Sequence, residues 1–146
     1  MNKTVQFQEN IIPACLHHDR RQSLIRRRGW VTGWGVTYTR GSLSPRLREL
    51  EVPVLSNREC ERLYSEAGWP QHIPRMFLCA GYAEGGRDSC DGDSGGPLVM
   101  KLGDDERWWL VGVISWGIGC GEKNQPGVMI RVAEYSQWIE KYVHLD

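Results

Sequence analysis

Residues 92–97 read Gly92-Asp93-Ser94-Gly95-Gly96-Pro97, and no other stretch of the chain carries as much chemistry. Its glycines permit backbone conformations closed to other residues and let a second backbone approach the Ser94 hydroxyl closely. The amides of Gly92 and Ser94 can be aimed at one point, an arrangement that stabilises a developing oxyanion. These are the surroundings of an activated serine if the flanking sequence agrees, because a glycine-flanked serine alone is a common loop string.

The flanks do agree. Cys79-Ala80-Gly81-Tyr82, Arg87-Asp88-Ser89-Cys90, Ser115-Trp116-Gly117 and Gly119-Cys120-Gly121 occur in that order around it. Together these strings resemble the chymotrypsin/trypsin family of serine endopeptidases, and those over 77–82 and 114–120 look like its clip-domain and developmental arthropod members. The resemblance covers almost the whole chain. It implies an all-β fold: the C-terminal six-stranded antiparallel β-barrel of a trypsin-like double barrel, with a closing C-terminal helix. Residues 1–28 match the inter-barrel linker and 29–146 the C-terminal barrel plus helix. A double barrel needs about 200–250 residues, whereas the chain has 146, so the N-terminal barrel is expected to be missing.

By this resemblance Ser94 is the nucleophile of an acyl-enzyme mechanism, and the backbone N–H groups of Gly92 and Ser94 form the oxyanion hole. The triad also needs a histidine base and an aspartate to orient it. In the family both come from the first half, and neither string that carries them is present. His17, His18, His72 and His144 stand in no such setting and read as ordinary surface residues. The His17-His18 pair lacks a second ligand cluster, so no metal site is expected, and no cofactor is implied. The chain by itself is expected to be inactive.

The resemblance puts Asp88 at the base of the pocket that receives the side chain before the scissile bond. A carboxylate in a narrow, partly desolvated pocket favours Arg or Lys, because an unpaired charge there is costly and a cation satisfies it. Gly117 and Gly127 match open wall positions, Ser89 and Asp91 border the pocket, and Ser115-Trp116-Gly117 matches the edge that pairs with substrate backbone. The implied partners are protein or peptide substrates with Arg or Lys before the cleaved bond. Asp93 matches the aspartate that pairs with a freed N-terminal ammonium after activation cleavage. A chain starting at Met1 offers no such partner, so a zymogen-like loop around Gly92 is expected. Pro126 replaces the tyrosine of sodium-activated relatives, so sodium activation is not expected, and Met129 replaces a tyrosine in the strand closing the pocket.

Cysteine spacing alone leaves the pairing open. The resemblance proposes Cys60–Cys79 and Cys90–Cys120, with Cys15 unpaired within the chain and placed to bridge to an upstream chain. Gly29 and Met100 stand where relatives commonly carry a further bridged pair.

Composition agrees with a secreted all-β module. Eighteen acidic and eighteen basic residues cancel, which points away from nucleic acid and from a charged membrane surface. There is no apolar run long enough to span a bilayer, and the polar start is no signal peptide. Five cysteines with 17 glycines and 7 tryptophans favour an oxidising, extracellular compartment, and Asn2-Lys3-Thr4 is a glycosylation sequon. Patterning predicts strands over 30–37, 46–55, 108–116 and 127–132, and a short surface helix over 57–67. A helix over 134–143 is predicted to dock through Tyr135, Trp138, Ile139 and Tyr142. Arg20, Arg21, Arg26, Arg27 and Arg28 form a solvated basic loop, with a polyanion exosite or a dibasic processing target as the sharper alternatives. A non-catalytic binding or decoy module is the alternative to a partial endopeptidase. The retention of Asp88, Gly92, Asp93 and Ser94 together favours the endopeptidase.

Overall fold

The computed structural model describes residues 4–103 and 107–142. The Asn2 sequon, His144 and the end of the expected last helix at Val143 lie outside the described residues. In chain order the elements are β1 (Cys15–Leu16), β2 (Arg28–Gly33), β3 (Arg48–Leu55), α1 (Asn57–Glu66), β4 (Phe77–Ala80), β5 (Pro97–Lys101), β6 (Trp108–Trp116) and β7 (Gly127–Arg131). A 3₁₀ turn (Val132–Tyr135) and α2 (Ser136–Tyr142) follow.

Strands β2 to β7 are joined antiparallel in the order β6-β5-β2-β3-β4-β7, and β7 pairs back onto β6 to close a six-stranded barrel. Closure removes exposed strand edges. β1 adds outside it, parallel to β6, with Cys15 opposite Trp109. The architecture is therefore the C-terminal trypsin-type barrel with one extra strand. Two register shifts, between Leu98 and Val99 and between Ile114 and Trp116, supply the local bending that closure requires.

Alternation along the strands sends Val31, Val52, Val54, Leu98, Met100, Val111 and Met129 into one core, each no more than 4% exposed. Gly29 and Met100, which replace a bridged pair of the family, adjoin each other. A Cβ on Gly29 would lie 3.2 Å from Met100 Cε and 2.8 Å from Leu98 Cδ1. The long Met100 side chain thus occupies the space beside the missing Gly29 side chain.

Helix α1 starts at Ser56, whose hydroxyl accepts from Glu59 N at 3.1 Å. It is not a surface helix. Cys60, Leu63 and Tyr64 are at most 2% exposed, and Cys60 and Tyr64 join Ile73, Cys79 and Val128 in a second core. Three residues at i, i+3 and i+4 make a sufficient apolar stripe, and the Cys60–Cys79 bridge ties it to β4.

The last helix also differs from expectation. The 3₁₀ turn over 132–135, with three residues per turn, rotates the face that a continuous α-helix would present. Val132 and Ala133 are the buried anchors, α2 buries none of its residues, and Trp138 and Tyr142 are 62% and 66% exposed. Their rings lie against each other at 5.4 Å. Arg20 leaves the basic loop to hold this turn, donating to Ala133 O and Glu134 O at 3.1 and 2.9 Å. Arg28 pairs with Glu51 at 2.7 Å. Residues before β2 are knitted into the barrel as well: Leu24 is in the core, and Arg26 N and Arg27 O exchange hydrogen bonds with Val54.

Candidate active site

The loop from Cys90 to Pro97 is shaped by its glycines and by Asp93. Gly92 and Gly95 have φ of +95° and +82°, conformations that L side chains rarely adopt. Asp93 N donates to Cys90 O and Gly96 N to Asp93 O, which makes two successive turns. Gly95 N and Ile114 N exchange bonds with Ile114 O and Gly96 O, each 2.9 Å, and dock the loop on the end of β6. Ser94 is left exposed at the apex.

The Asp93 carboxylate points inward. Its Oδ1 accepts from Gly35 N at 2.8 Å and its Oδ2 from Cys90 N at 3.0 Å. A Cβ on Gly33 or Gly35 would overlap this carboxylate, so the Gly33-Trp34-Gly35 sequence makes its seat. Beside it lies a cavity of about 400 Å³ that reaches from Val31 and Leu50 to Asp88 and Asp93. Val36 N donates to Asp91 O at 2.9 Å, and Leu43 Cδ2 would be 2.7 Å from a Cβ on Gly92. Residues 33–43 therefore brace the serine loop. Sequence patterning assigned Gly33, Gly35 and Leu43 no role; the Gly-x-Gly spacing was the available signal.

A separate cleft of about 170 Å³ is bordered by Asp88, Ser94, Ser115, Gly117 and Gly127. Ser89, Asp91 and Trp116 line it too. Asp88 forms its inner end: Oδ1 accepts from Ser89 N at 2.8 Å and Oδ2 from Gly121 N at 3.2 Å. A Cβ on Gly127 would be 3.0 Å from Asp88 Oδ1, so only glycine leaves the carboxylate uncovered there. Burial pushes the Asp88 carboxyl up to about 6, with the nearby Asp93 charge adding to it and the two amide donors opposing it. The Cys90–Cys120 bridge fastens the segment carrying Asp88 and Ser94 to the opposite wall. Tyr64 OH donates to Pro126 O at 2.7 Å, and burial pushes its hydroxyl up to about 12, so the neutral phenol holds the turn before Gly127.

Ser94 Oγ has no hydrogen-bond partner among the described residues, and none of the described histidines borders the cleft. His72 pairs with Glu61 at 2.8 Å on the α1 surface. His17 corrects the expectation of surface histidines: it is 3% exposed, behind β1, with Nε2 on Gln22 Oε1 at 2.9 Å. Cys15 is a free thiol. No described helix is long and apolar enough to cross a membrane.

Barrel and cleft together define a chymotrypsin-like C-terminal barrel. The trypsin family model matches residues 1–139. The chain is 44% identical over 98% of its length to serine proteinase stubble of Drosophila melanogaster, covering 18% of that protein. It is 40% identical over 95% of its length to coagulation factor XI of Bos taurus, covering 21% of it, and 37% identical over 99% to transmembrane protease serine 11G of Rattus norvegicus, covering 34%. The chain belongs to the trypsin family of serine proteases. It spans about a third or less of each of these relatives.

Proposed function

We propose that the chain is the C-terminal half of a secreted trypsin-like serine endopeptidase domain that, in its intact parent, cleaves after Arg or Lys. The observation that carries this is the half-buried Asp88 carboxylate at the inner end of the cleft that also borders Ser94. A guanidinium or ammonium entering the cleft supplies the counter-charge that burial denies Asp88, and its backbone then lies along Ser115, Trp116 and Gly117. Ser94 Oγ attacks the adjacent carbonyl and passes its proton to a histidine base contributed by the other half. The oxyanion falls to the N–H groups of Gly92 and Ser94, neither of which donates to a protein acceptor among the described residues. Collapse expels the amine and leaves an acyl group on Ser94, which water then removes.

In this proposal Asp93 receives the ammonium of an activation-cleaved N-terminus in the adjoining cavity, 1–28 is the inter-barrel segment, and Cys15 serves a bridge to an upstream chain. Two disulfides support an extracellular setting. The test joins this chain to its upstream half and compares arginyl, lysyl and phenylalanyl amides. Hydrolysis confined to the basic amides and abolished by Ser94→Ala supports the proposal. Binding of basic peptides without hydrolysis by the complete domain would favour a decoy module instead.

A further inference from the structure

Of the five arginines in 20–28, two hold carboxylates: Arg28 pairs with Glu51 at 2.7 Å, and Arg20 lies 3.9 Å from Glu134. Arg21, Arg26 and Arg27 are exposed and have no carboxylate partner among the described residues. Nothing in the turn asks for arginine at 26, where φ is +66°, a left-handed conformation that favours Gly or Asn. The backbone is pinned there: Arg26 N donates to Val54 O at 2.8 Å, Val54 N to Arg27 O at 2.9 Å, and Arg27 N to Leu24 O at 3.0 Å. A segment so bonded is not the extended strand that a processing protease pairs with.

The same hydrogen bonds set these cations beside others. Val54 lies two residues before Ser56, the cap of α1, and Arg58 stands in the first turn of that helix, exposed and without a carboxylate partner among the described residues. Asn57 Oδ1 accepts from Arg131 Nη2 at 3.1 Å, Arg131 Nε donates to Arg75 O at 2.9 Å, and Arg75 Nη2 donates to Arg20 O at 3.2 Å. The linker, the start of α1 and the segment before β4 therefore meet on one face. Its carboxylates do not cancel its charge. Glu134 alone serves both Arg20 and Arg75, Glu59 pairs with Arg62, and Glu61 takes His72 Nδ1 and the Ile73 amide. Asp19 accepts the Arg21 amide and has no ion-pair partner among the described residues, against four such guanidinium groups on Arg21, Arg26, Arg27 and Arg58.

We propose that this face binds a sulfated polysaccharide, whose sulfates are received by Arg21, Arg26, Arg27 and Arg58. Each free cation is an arginine, whose planar fork gives two parallel hydrogen bonds to an oxyanion. Their spread over two separate segments suits a repeating anion better than a single ion. The formal net charge of the chain is zero, so the attraction belongs to this face and not to the molecule at large. Residues 19–28, 56–58 and 74–76 hold no aromatic side chain on which bases could stack, which disfavours single-stranded nucleic acid. The choice of an extracellular polymer rests on the extracellular reading above.

The test titrates a heparin-derived hexasaccharide into the ¹⁵N-labelled chain at physiological ionic strength. Saturable shifts are expected in the amides of 20–27 and 57–58, with log affinity falling linearly as log salt rises. Arg26→Asn, which suits the backbone there, and Arg27→Gln should each weaken binding about tenfold, the scale of one hydrogen bond to a charged group. Arg46→Gln removes the same charge at the opposite end of β3 from Val54 and should leave the affinity unchanged. Equal weakening by Arg46→Gln, absence of a saturable shift, or equal binding of the desulfated hexasaccharide would each overturn the proposal. Tighter binding of a thymidine hexanucleotide or of hexaglutamate would overturn it in favour of nucleic acid or an acidic peptide. Comparison of these probes on the unaltered chain needs no variant to fold. None of the residues read out borders the Ser94 cleft, so failure here leaves the protease proposal untouched.

Discussion

Replacing Asp88 by Asn separates the cost of its buried charge from its hydrogen bonds. In the folded chain the carboxyl is displaced from 3.8 to about 6, chiefly by burial. At about 1.36 kcal/mol for each tenfold change in proton affinity, ionised Asp88 weakens the fold by about 3 kcal/mol. The folded state holds the proton more tightly than the unfolded chain. Between pH 3.8 and 6 the unfolded state therefore binds fewer protons, stability falls as pH rises through that window, and the loss is complete above it. Asn carries no charge at any of these pH values. It keeps one carbonyl oxygen for one of the Ser89 and Gly121 amides and turns an NH₂ towards the other, at a pH-independent cost of about 1–2 kcal/mol. Asp88→Asn should thus be the less stable protein at pH 4 and the more stable one at pH 7.5. Urea denaturation at a series of pH values, read by tryptophan fluorescence, measures the difference directly. A stability difference that stays flat from pH 4 to 7.5, or that moves against the variant as pH rises, would refute this account of Asp88.

The same carboxylate sets the pH dependence of cation binding: benzamidine affinity, measured by calorimetry, should rise with pH up to about 6 and level off above it, falling about tenfold per unit below. Gly92→Ala places a methyl at φ +95°, 2.7 Å from Leu43 Cδ2, and should cost about 1–3 kcal/mol. Leu43→Ala should relieve part of that cost, so a denaturation double-mutant cycle showing strict additivity would count against the contact. Replacing Cys60 and Cys79 together by Ala should cost about 3 kcal/mol for a bridge spanning 19 residues, seen as a lower urea midpoint. The chain alone should leave a serine-directed fluorophosphonate unreacted, because loss of a triad base lowers turnover roughly a millionfold; stoichiometric labelling of Ser94 would show that a base is reached.

The features legible in the sequence are local or repeated along the chain. Strings such as Gly92-Asp93-Ser94-Gly95-Gly96-Pro97 carry their backbone requirements in their glycines, and together with the strings at 79–82, 87–90, 115–117 and 119–121 they carry the family resemblance. The nearly continuous apolar run over 108–116 matched β6 residue for residue, although the strand is buried only in part and Trp108 is exposed. Contacts between distant segments were not legible. That Gly33 and Gly35 seat the Asp93 carboxylate, that Met100 fills the space beside Gly29, and that Leu43 covers Gly92 each join residues that barrel closure brings together. Orientation was equally a tertiary matter. Of the expected stripe only Tyr135 falls in the 3₁₀ turn held by Arg20; Trp138 and Tyr142 stay on one face of α2, and that face lies in solvent. His17 is buried because β1 continues onto β6, a pairing that no periodicity in a two-residue strand announces. A side chain's partners follow from where the sheet closes, and closure depends on the whole set of strands at once.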